Sequence, residues 1–215
     1  MGDWRVIESS RLVSNRWITV RRDVCQTLRH EGSFDYYVVE KSDFAMAVAL
    51  TADRRLLLVR QYKHGGGRVI LECPAGYVDV GEDSADAVRR ELREETGYEA
   101  RDVMSLGVFL VSPSFLNNRA HFFLCLDAEP VGAQKLDALE DIEVVPLDFE
   151  QAVRDLVAGR LELDMASTAA VLLARERLAE ITTEEDWKHY GSSQQRFGLE
   201  PSSAKPATGV REGES

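Results

Sequence analysis

A chain of 215 residues, 44% hydrophobic and 29% charged, is long enough to bury one sizeable core and too apolar to be dominated by disorder. Its formal net charge of -11 argues against a non-specific grip on nucleic acid, which rests on lysine and arginine neutralising phosphates. An acidic protein that handles a polyphosphate needs metal ions as intermediaries.

Residues 1–42 alternate apolar and polar, as in Trp17-Ile18-Thr19-Val20-Arg21 and Tyr36-Tyr37-Val38-Val39-Glu40, and predict strands joined by a turn around Glu31-Gly32-Ser33. This stretch is expected to be a small β element. The runs Phe44–Leu50, Leu56–Arg60 and Val69–Leu71 predict further strands, separated by Asp53-Arg54-Arg55 and by Gly65-Gly66-Gly67. The triple glycine is expected to be a hairpin turn rather than a phosphate loop, because no Gly-Lys-Ser/Thr follows it and no helix pattern opens after it. Ser84–Glu95 predicts a helix with Asp83 or Ser84 as N-cap and Gly97 in the left-handed position beyond its end. Strands are expected at Val103–Val111, His121–Leu126 and Ile142–Leu147. Helices follow at Glu150–Ala158, closed by Gly159, and at Met165–Ile181, capped by Asp164.

The order is α+β with mixed strand pairing. It divides into the element at 1–42, a main domain over 43–190, and a Ser-, Gly- and Pro-rich tail over 191–215 expected to be disordered. Met1-Gly2-Asp3-Trp4-Arg5 lacks an apolar leader-like run, and no stretch approaches the roughly 18 apolar residues of a membrane span. Cys25, Cys73 and Cys125 fit neither a disulfide framework nor a zinc site. The expectation is a cytoplasmic protein with neither membrane nor nucleic acid as partner.

The helix at 84–95 carries the chemistry. With Val88 as the inward reference, Leu92 lies about 40° to one side, Glu95 about 20° to the other and Glu91 about 60° away. Two carboxylates therefore border the apolar stripe. A carboxylate that faces the protein body pays desolvation unless something compensates it, and a divalent cation is the natural compensator. Glu91 and Glu95 are i, i+4 neighbours able to share an ion, with Glu94 beside them. On helix geometry alone a second reading stays open, a solvated charged helix in which Arg89, Arg90 and Arg93 pair with Glu82, Glu94 and Glu95.

The wider pattern runs Gly76, five residues, Glu82, seven residues, then Arg90-Glu91-Leu92-Arg93-Glu94-Glu95-Thr96-Gly97-Tyr98. It resembles the Nudix box at every fixed-identity position, and chance would match seven such identities on the order of once in a million chains of this length. Tyr98 stands where that family usually carries an aliphatic residue. The resemblance implies an α/β/α sandwich and a hydrolase that splits a diphosphate with Mg²⁺, Mn²⁺ being a possible substitute. It implies Glu91, Glu95 and the Ala75 carbonyl as metal ligands, and Glu94 as a further ligand or a water-orienting carboxylate. Gly76 would permit the tight turn into the loop, Glu82 with Arg90 would brace the loop onto the helix, and Gly97 would end the helix.

Flanking residues are similar to the subgroup acting on ADP-ribose and nucleotide sugars. Val59-Arg60-Gln61-Tyr62-Lys63 and Leu71-Glu72-Cys73-Pro74-Ala75-Gly76 look like that subgroup's strand pair, and Pro113 falls sixteen residues after Gly97. In those enzymes a β element of this size swaps between subunits, which implies a homodimer. One departure touches the mechanism. Asn118 stands where a catalytic glutamate is expected, and an amide cannot take a proton from water. Glu140, just before the last strand, and Glu94 are the alternative bases. Lys63, Arg60 and Arg119 are candidates for a charge clamp on the diphosphate, each of which could equally be a surface charge. Trp17, Phe34 and Tyr36 are candidates for stacking on the base, with core packing as the competing reading. Two functions of different class stand: a pyrophosphohydrolase acting on ADP-ribose or another nucleoside-diphosphate-linked small molecule such as GDP-mannose, and a non-catalytic module that binds a nucleotide.

Overall fold

The structure, a computed structural model, describes residues 4–181, so the tail expected over 191–215 lies outside the described residues. Residues 4–41 with 111–118 make one compact unit, and residues 42–110 with 119–181 make another.

In the first unit β1 (Arg5–Ser14), β2 (Thr19–Thr27) and β3 (His30–Glu40) form an antiparallel sheet in that order. Two local expectations are corrected here. The β2–β3 turn falls at Leu28-Arg29 rather than at Glu31-Gly32-Ser33, because Thr27 pairs with His30, and Gly32 takes its left-handed φ of 89° inside β3. Trp17 and Ile18 lie in the β1–β2 turn rather than in a strand. The side-chain oxygen of Asn15 accepts both of their backbone N–H groups, at 2.8 and 3.0 Å, the local turn that asparagine favours. The segment 111–118 lies along β3, where Val39 N–H donates to the Phe115 carbonyl at 2.8 Å and Lys41 N–H to Asn117 Oδ1 at 2.9 Å.

The second unit is a mixed sheet with helices on both faces, as the resemblance implied. Its strands are β4 (Phe44–Thr51), β5 (Arg55–Lys63), β6 (Arg68–Glu72), β7 (Ala75–Tyr77), β8 (Tyr98–Leu110), β9 (Arg119–Pro130) and β10 (Glu143–Asp148). They run in the order β10-β5-β4-β9-β8, with β6 on β5 and β7 on β4. The β4–β9 ladder is parallel and the rest are antiparallel. The triple glycine is the β5–β6 hairpin turn, closed by Gly67 at a φ of 65°.

β4 shows why the unit is layered. Ala45 to Leu50 are buried without a break, the pattern of a strand covered on both faces. Ala45, Ala47 and Ala49 pack against Ala87, Val88 and Leu92 of α1 (Ser84–Thr96). The intervening Met46 meets Ser167 of α3 (Met165–Glu180) at 3.9 Å. Alanines on the α1 side let that helix sit close, and burying Val88 and Leu92 there contributes about 1.5–3 kcal/mol each. A shorter helix, α2 (Phe149–Val157), follows β10 and starts at Phe149, capped by Asp148. On the far face the hydroxyl of Ser167 accepts the buried N–H of Cys73 at 2.8 Å, which pins the chain as it leaves β6 for β7.

Candidate active site

α1 begins and ends as its cap residues predict. Asp83 accepts the N–H of Ala85 at 2.8 Å, and Gly97, at a φ of 75°, returns its N–H to the Arg93 carbonyl at 2.9 Å. A side chain at Gly97 would overlap the carbonyl of Gly132, so glycine there also admits the loop that passes the helix end. Between the caps, the buried stripe of Ala87, Val88 and Leu92 runs on into Glu95, which is 4% exposed.

Glu95 is the electrostatic centre of the site. One of its carboxylate oxygens accepts the N–H of Ala75 at 2.9 Å. Burial pushes its pKa up to about 8, opposed by that hydrogen bond and reinforced by the charges of Glu91 and Glu72. A carboxyl so placed asks for a proton or a cation. Glu91 lies one turn back and is half-buried. Burial raises its pKa too, Arg90 pulls it down, and Glu94 and Glu140 push it up. Gly76 lies in the middle of β7, opposite Ala45, and not at the tight turn expected of it; a Cβ there would overlap the Glu91 carboxyl, so it is glycine because that carboxyl rests on its backbone.

Arg90 organises the rim. It makes a forked pair with Glu82 at 2.9 Å through each arm, donates to the Tyr77 carbonyl at 2.9 Å, and reaches Glu91 at 2.6 Å and Glu94 at 3.3 Å. The fork drives the Glu82 pKa down to about 2. Of the pairings expected for a solvated charged helix, only those of Arg90 with Glu82 and Glu94 form among the described residues; Arg93 pairs with Glu99, Arg89 donates to the Ala100 carbonyl, and Glu95 turns inward to the Ala75 N–H instead. Among the described residues no three His, Cys, Asp or Glu side chains are gathered into a ready-made cation cage, since Glu91 and Glu94 face Arg90. The donor set is nonetheless all oxygen and rich in carboxylate, the chemistry of a hard divalent cation.

A residue without an assigned role from the sequence joins this cluster. Glu72, at the end of β6, is largely buried and accepts from Lys63 at 2.8 Å and Gln61 at 2.6 Å. Burial raises its pKa, with Lys63 opposing. Strand alternation places its face but not its depth, so the pairing of β6 with β5 was needed to find it. Glu95 is thus hydrogen-bonded to Ala75 and feels the charges of Glu91, Glu72 and Lys63.

The other predicted residues are placed as follows. Arg60 stands opposite Glu143 across β5 and β10 and pairs with it at 2.8 Å. Arg119 opens β9, half-buried, with its backbone N–H on Asp43 at 2.8 Å. Glu140 is exposed in the loop before β10 and accepts the N–H of Asp137 at 2.9 Å. That loop is tied to the end of α1, where Lys135 N–H donates to the Glu94 carbonyl at 2.9 Å and the Gln134 side chain to the carbonyls of Glu95 and Ile142 at 2.6 and 3.1 Å. In the N-terminal unit Asn118 is buried. Trp17 is 66% exposed, with the Arg16 guanidinium 4.3 Å from its ring. Phe34 and Tyr36 pack edge-on against Trp4 at 5.2 and 5.4 Å.

A helix that carries paired carboxylates against a strand glycine, on one face of a mixed sheet, defines a class, and residues 41–172 match the NUDIX domain model. The chain belongs to the Nudix hydrolase family. It is 30% identical over 135 residues to an ADP-ribose pyrophosphatase of Bacillus subtilis, covering 62% of this chain and 72% of that one. It is 27% identical over 165 residues to a GDP-mannose pyrophosphatase of Klebsiella pneumoniae, covering 70% and 82%. In fold it is similar to the crystal structure of an ADP compounds hydrolase, with a TM-score of 0.73 at 22% identity, covering 83% of this chain and 96% of that one.

Proposed function

We propose that the protein is a magnesium-dependent pyrophosphohydrolase that cleaves ADP-ribose, or a related nucleoside diphosphate sugar such as GDP-mannose, into two monophosphates. The observation that carries this reading is the buried Glu95 carboxyl beside Glu91, the two resting on Ala75 and Gly76 of β7. Similarity to an ADP-ribose pyrophosphatase and a GDP-mannose pyrophosphatase supports the substrate class.

Glu91, Glu95, Glu94 and the Ala75 carbonyl would hold the cation, Mg²⁺ or in its place Mn²⁺. When bound, such a cation neutralises the diphosphate and makes a bound water more acidic. The chain's own groups supply the rest. Lys63, already drawn to the carboxylates by Glu72, and Arg119 clamp phosphoryl oxygens, with Arg60 on the flank. Glu140, close enough to Glu91 to raise its pKa, takes the proton of the attacking water. The bridging oxygen–phosphorus bond breaks as the new one forms, and its electron pair leaves with the second monophosphate. Glu94 orients the water, and the exposed ring of Trp17 is the surface offered to a base.

The N-terminal sheet exposes Val6, Ile7, Leu12 and Val13, which supports a homodimer built through residues 1–42. Light scattering is expected to give twice the chain mass at micromolar concentration, and a monomer that retains activity would refute the dimer. Three free, buried cysteines fit a reducing, cytoplasmic setting. Among the described residues no helix is long and apolar enough to cross a membrane.

The deciding experiment is a phosphate-release screen over ADP-ribose, GDP-mannose and other nucleoside diphosphate sugars, with and without Mg²⁺. Turnover that requires Mg²⁺ is expected. The amide of Asn118 favours one alternative, a non-catalytic nucleotide-binding module, and binding without turnover across the whole panel would establish it.

A further inference from the structure

We infer that Glu72 is a positioning residue: it holds the Lys63 ammonium towards Glu95, and so strengthens the binding of a diphosphate that its own charge should repel. The identity of the ligand rests on the pyrophosphohydrolase reading above.

The placement follows from how the sheet opens. β4 and β5 pair at Ala49–Leu57 and Leu50–Leu56, after which β5 goes on to pair with β6, and β4 with β7. The chain crosses from β6 to β7 at Cys73-Pro74. Glu72 is the last residue before that crossing, and Ala75, whose N–H is held by Glu95, is the first after it. Leu57 belongs to the core cluster of Ala87, Val88 and Leu92 of α1. Side chains alternate along β5, so Val59, Gln61 and Lys63 lie on that same face, and Glu72, opposite Val59, joins them. The Glu72 carboxyl thus stands on the α1 side of the sheet, at the crossing that leads to Ala75.

Lys63 stands four residues beyond Val59, about 13 Å along the strand, yet its ammonium bonds Glu72 at 2.8 Å. The lysine side chain therefore folds back along β5 towards the crossing. Gln61 donates to the same Glu72 oxygen at 2.6 Å, so the carboxylate is held at a fixed point and the lysine with it. Glu72 takes one of the three ammonium donors and leaves two for phosphoryl oxygens. The Lys63 side chain is 44% exposed and that of Glu72 12%, so a ligand meets the ammonium before the carboxylate. The charge of Lys63 is felt at Glu95, where it opposes the rise in pKa. Burying a carboxylate costs more than a half-exposed pair returns, so tying β6 to β5 does not by itself account for Glu72.

The test is calorimetric titration of the full chain with ADP-ribose and with inorganic pyrophosphate, at saturating Ca²⁺ to hold turnover down, with Ca²⁺ also titrated alone. Were Glu72 merely a charge near the site, Glu72→Gln would tighten both ligands by removing a repulsion. Positioning predicts the opposite sign: Glu72→Gln should weaken both by on the order of tenfold, the scale of one hydrogen bond to a charged group. Ca²⁺ affinity should change by less, and in steady-state kinetics with Mg²⁺ the loss should fall on KM rather than kcat. In a Lys63→Met background the same substitution should no longer weaken binding. Gln61→Met, which frees the carboxylate from its second partner, should lose less in the same direction. Unchanged or tighter binding in Glu72→Gln overturns the inference. So does an equal loss in the Lys63→Met background, or a loss no larger than the fall in Ca²⁺ affinity. Should Glu72→Gln lower the unfolding temperature, unchanged affinity in Gln61→Met overturns it instead. If the wild type binds both ligands yet hydrolyses nothing, the pyrophosphohydrolase reading falls and the affinities alone decide Glu72; if it binds neither, both fall.

Discussion

α1 and α3 press on opposite faces of the same strand, and they bury different things. The stripe of α3 is Ser167, Ala170, Val171 and Ala174, small side chains whose one polar member satisfies the Cys73 N–H. The stripe of α1 starts in the same manner with Ala87 and Val88, passes Leu92, and then continues into Glu95. α3 needs nothing beyond the protein to be content. α1 does, because one backbone N–H does not offset the desolvation of a buried carboxylate. The two helices differ in a single kind of inward position: α3 keeps small side chains there, and α1 presents the Glu95 carboxyl.

The sharpest way to break that contrast is Glu95→Gln, which keeps the shape and removes the charge. Turnover should fall by orders of magnitude while the fold persists. Near wild-type, Mg²⁺-dependent rates in this variant would show that the inward carboxylate is not the cation's ligand.

Next in size is the base. Glu140→Gln should lose about 10²–10⁴-fold in rate with little change in metal affinity, and Asn118→Ala should matter far less. If Glu140→Gln stays active while Glu94→Gln is dead with its metal still bound, the proton goes to the helix instead of the loop.

Smaller, and read as stability, is a paired truncation on the two helices. Leu92→Ala should cost about 2–5 kcal/mol in chemical denaturation, as for other buried leucines. Ser167→Ala should cost about 1–3 kcal/mol, because it strands the buried Cys73 N–H. Equal and negligible costs would mean that neither helix is packed as described.

How much of this was legible beforehand follows the same division. The ends of α1 were readable because Asp83 and Gly97 act locally, through their own side chain and their own φ. Glu95 was readable because a helix maps sequence spacing onto a face. The N-terminal sheet was read less well. β1 pairs through two irregularities, at Val6/Glu8 and Arg11/Val13, which scramble alternation, and Gly32 marks a left-handed residue within a strand where a turn was expected. β7 is three residues long and carries no pattern at all. Glu72 and the Asp43–Arg119 contact were invisible for a different reason. Each depends on strands paired across the sheet, and the parallel β4–β9 ladder joins residues more than seventy positions apart, a distance at which local pattern says nothing.

The finest test of the contrast is the pH dependence of stability without and with Mg²⁺. The Glu95 carboxyl has its pKa raised to about 8 in the folded protein against about 4.3 when unfolded. The folded state therefore binds that proton more tightly, so the stability it contributes is fully present below about pH 4.3 and is lost as pH rises towards 8. Glu91 and Glu72, also raised by burial, act in the same direction. Glu82 acts oppositely, since its pKa near 2 gives stability present above about pH 4.3 and lost only in strong acid. On the proposed site Mg²⁺ would be held by the ionised carboxylates, so it should stabilise most where protons no longer do. The gain in unfolding temperature on adding Mg²⁺ should grow between about pH 5 and about pH 8, at about 2–4 °C for each kcal/mol of binding free energy. Glu95→Gln should flatten that growth, whereas Ser167→Ala, on the helix without a carboxylate, should leave it in place. A wild-type gain that is the same across the whole interval would remove Glu95 from the cation site.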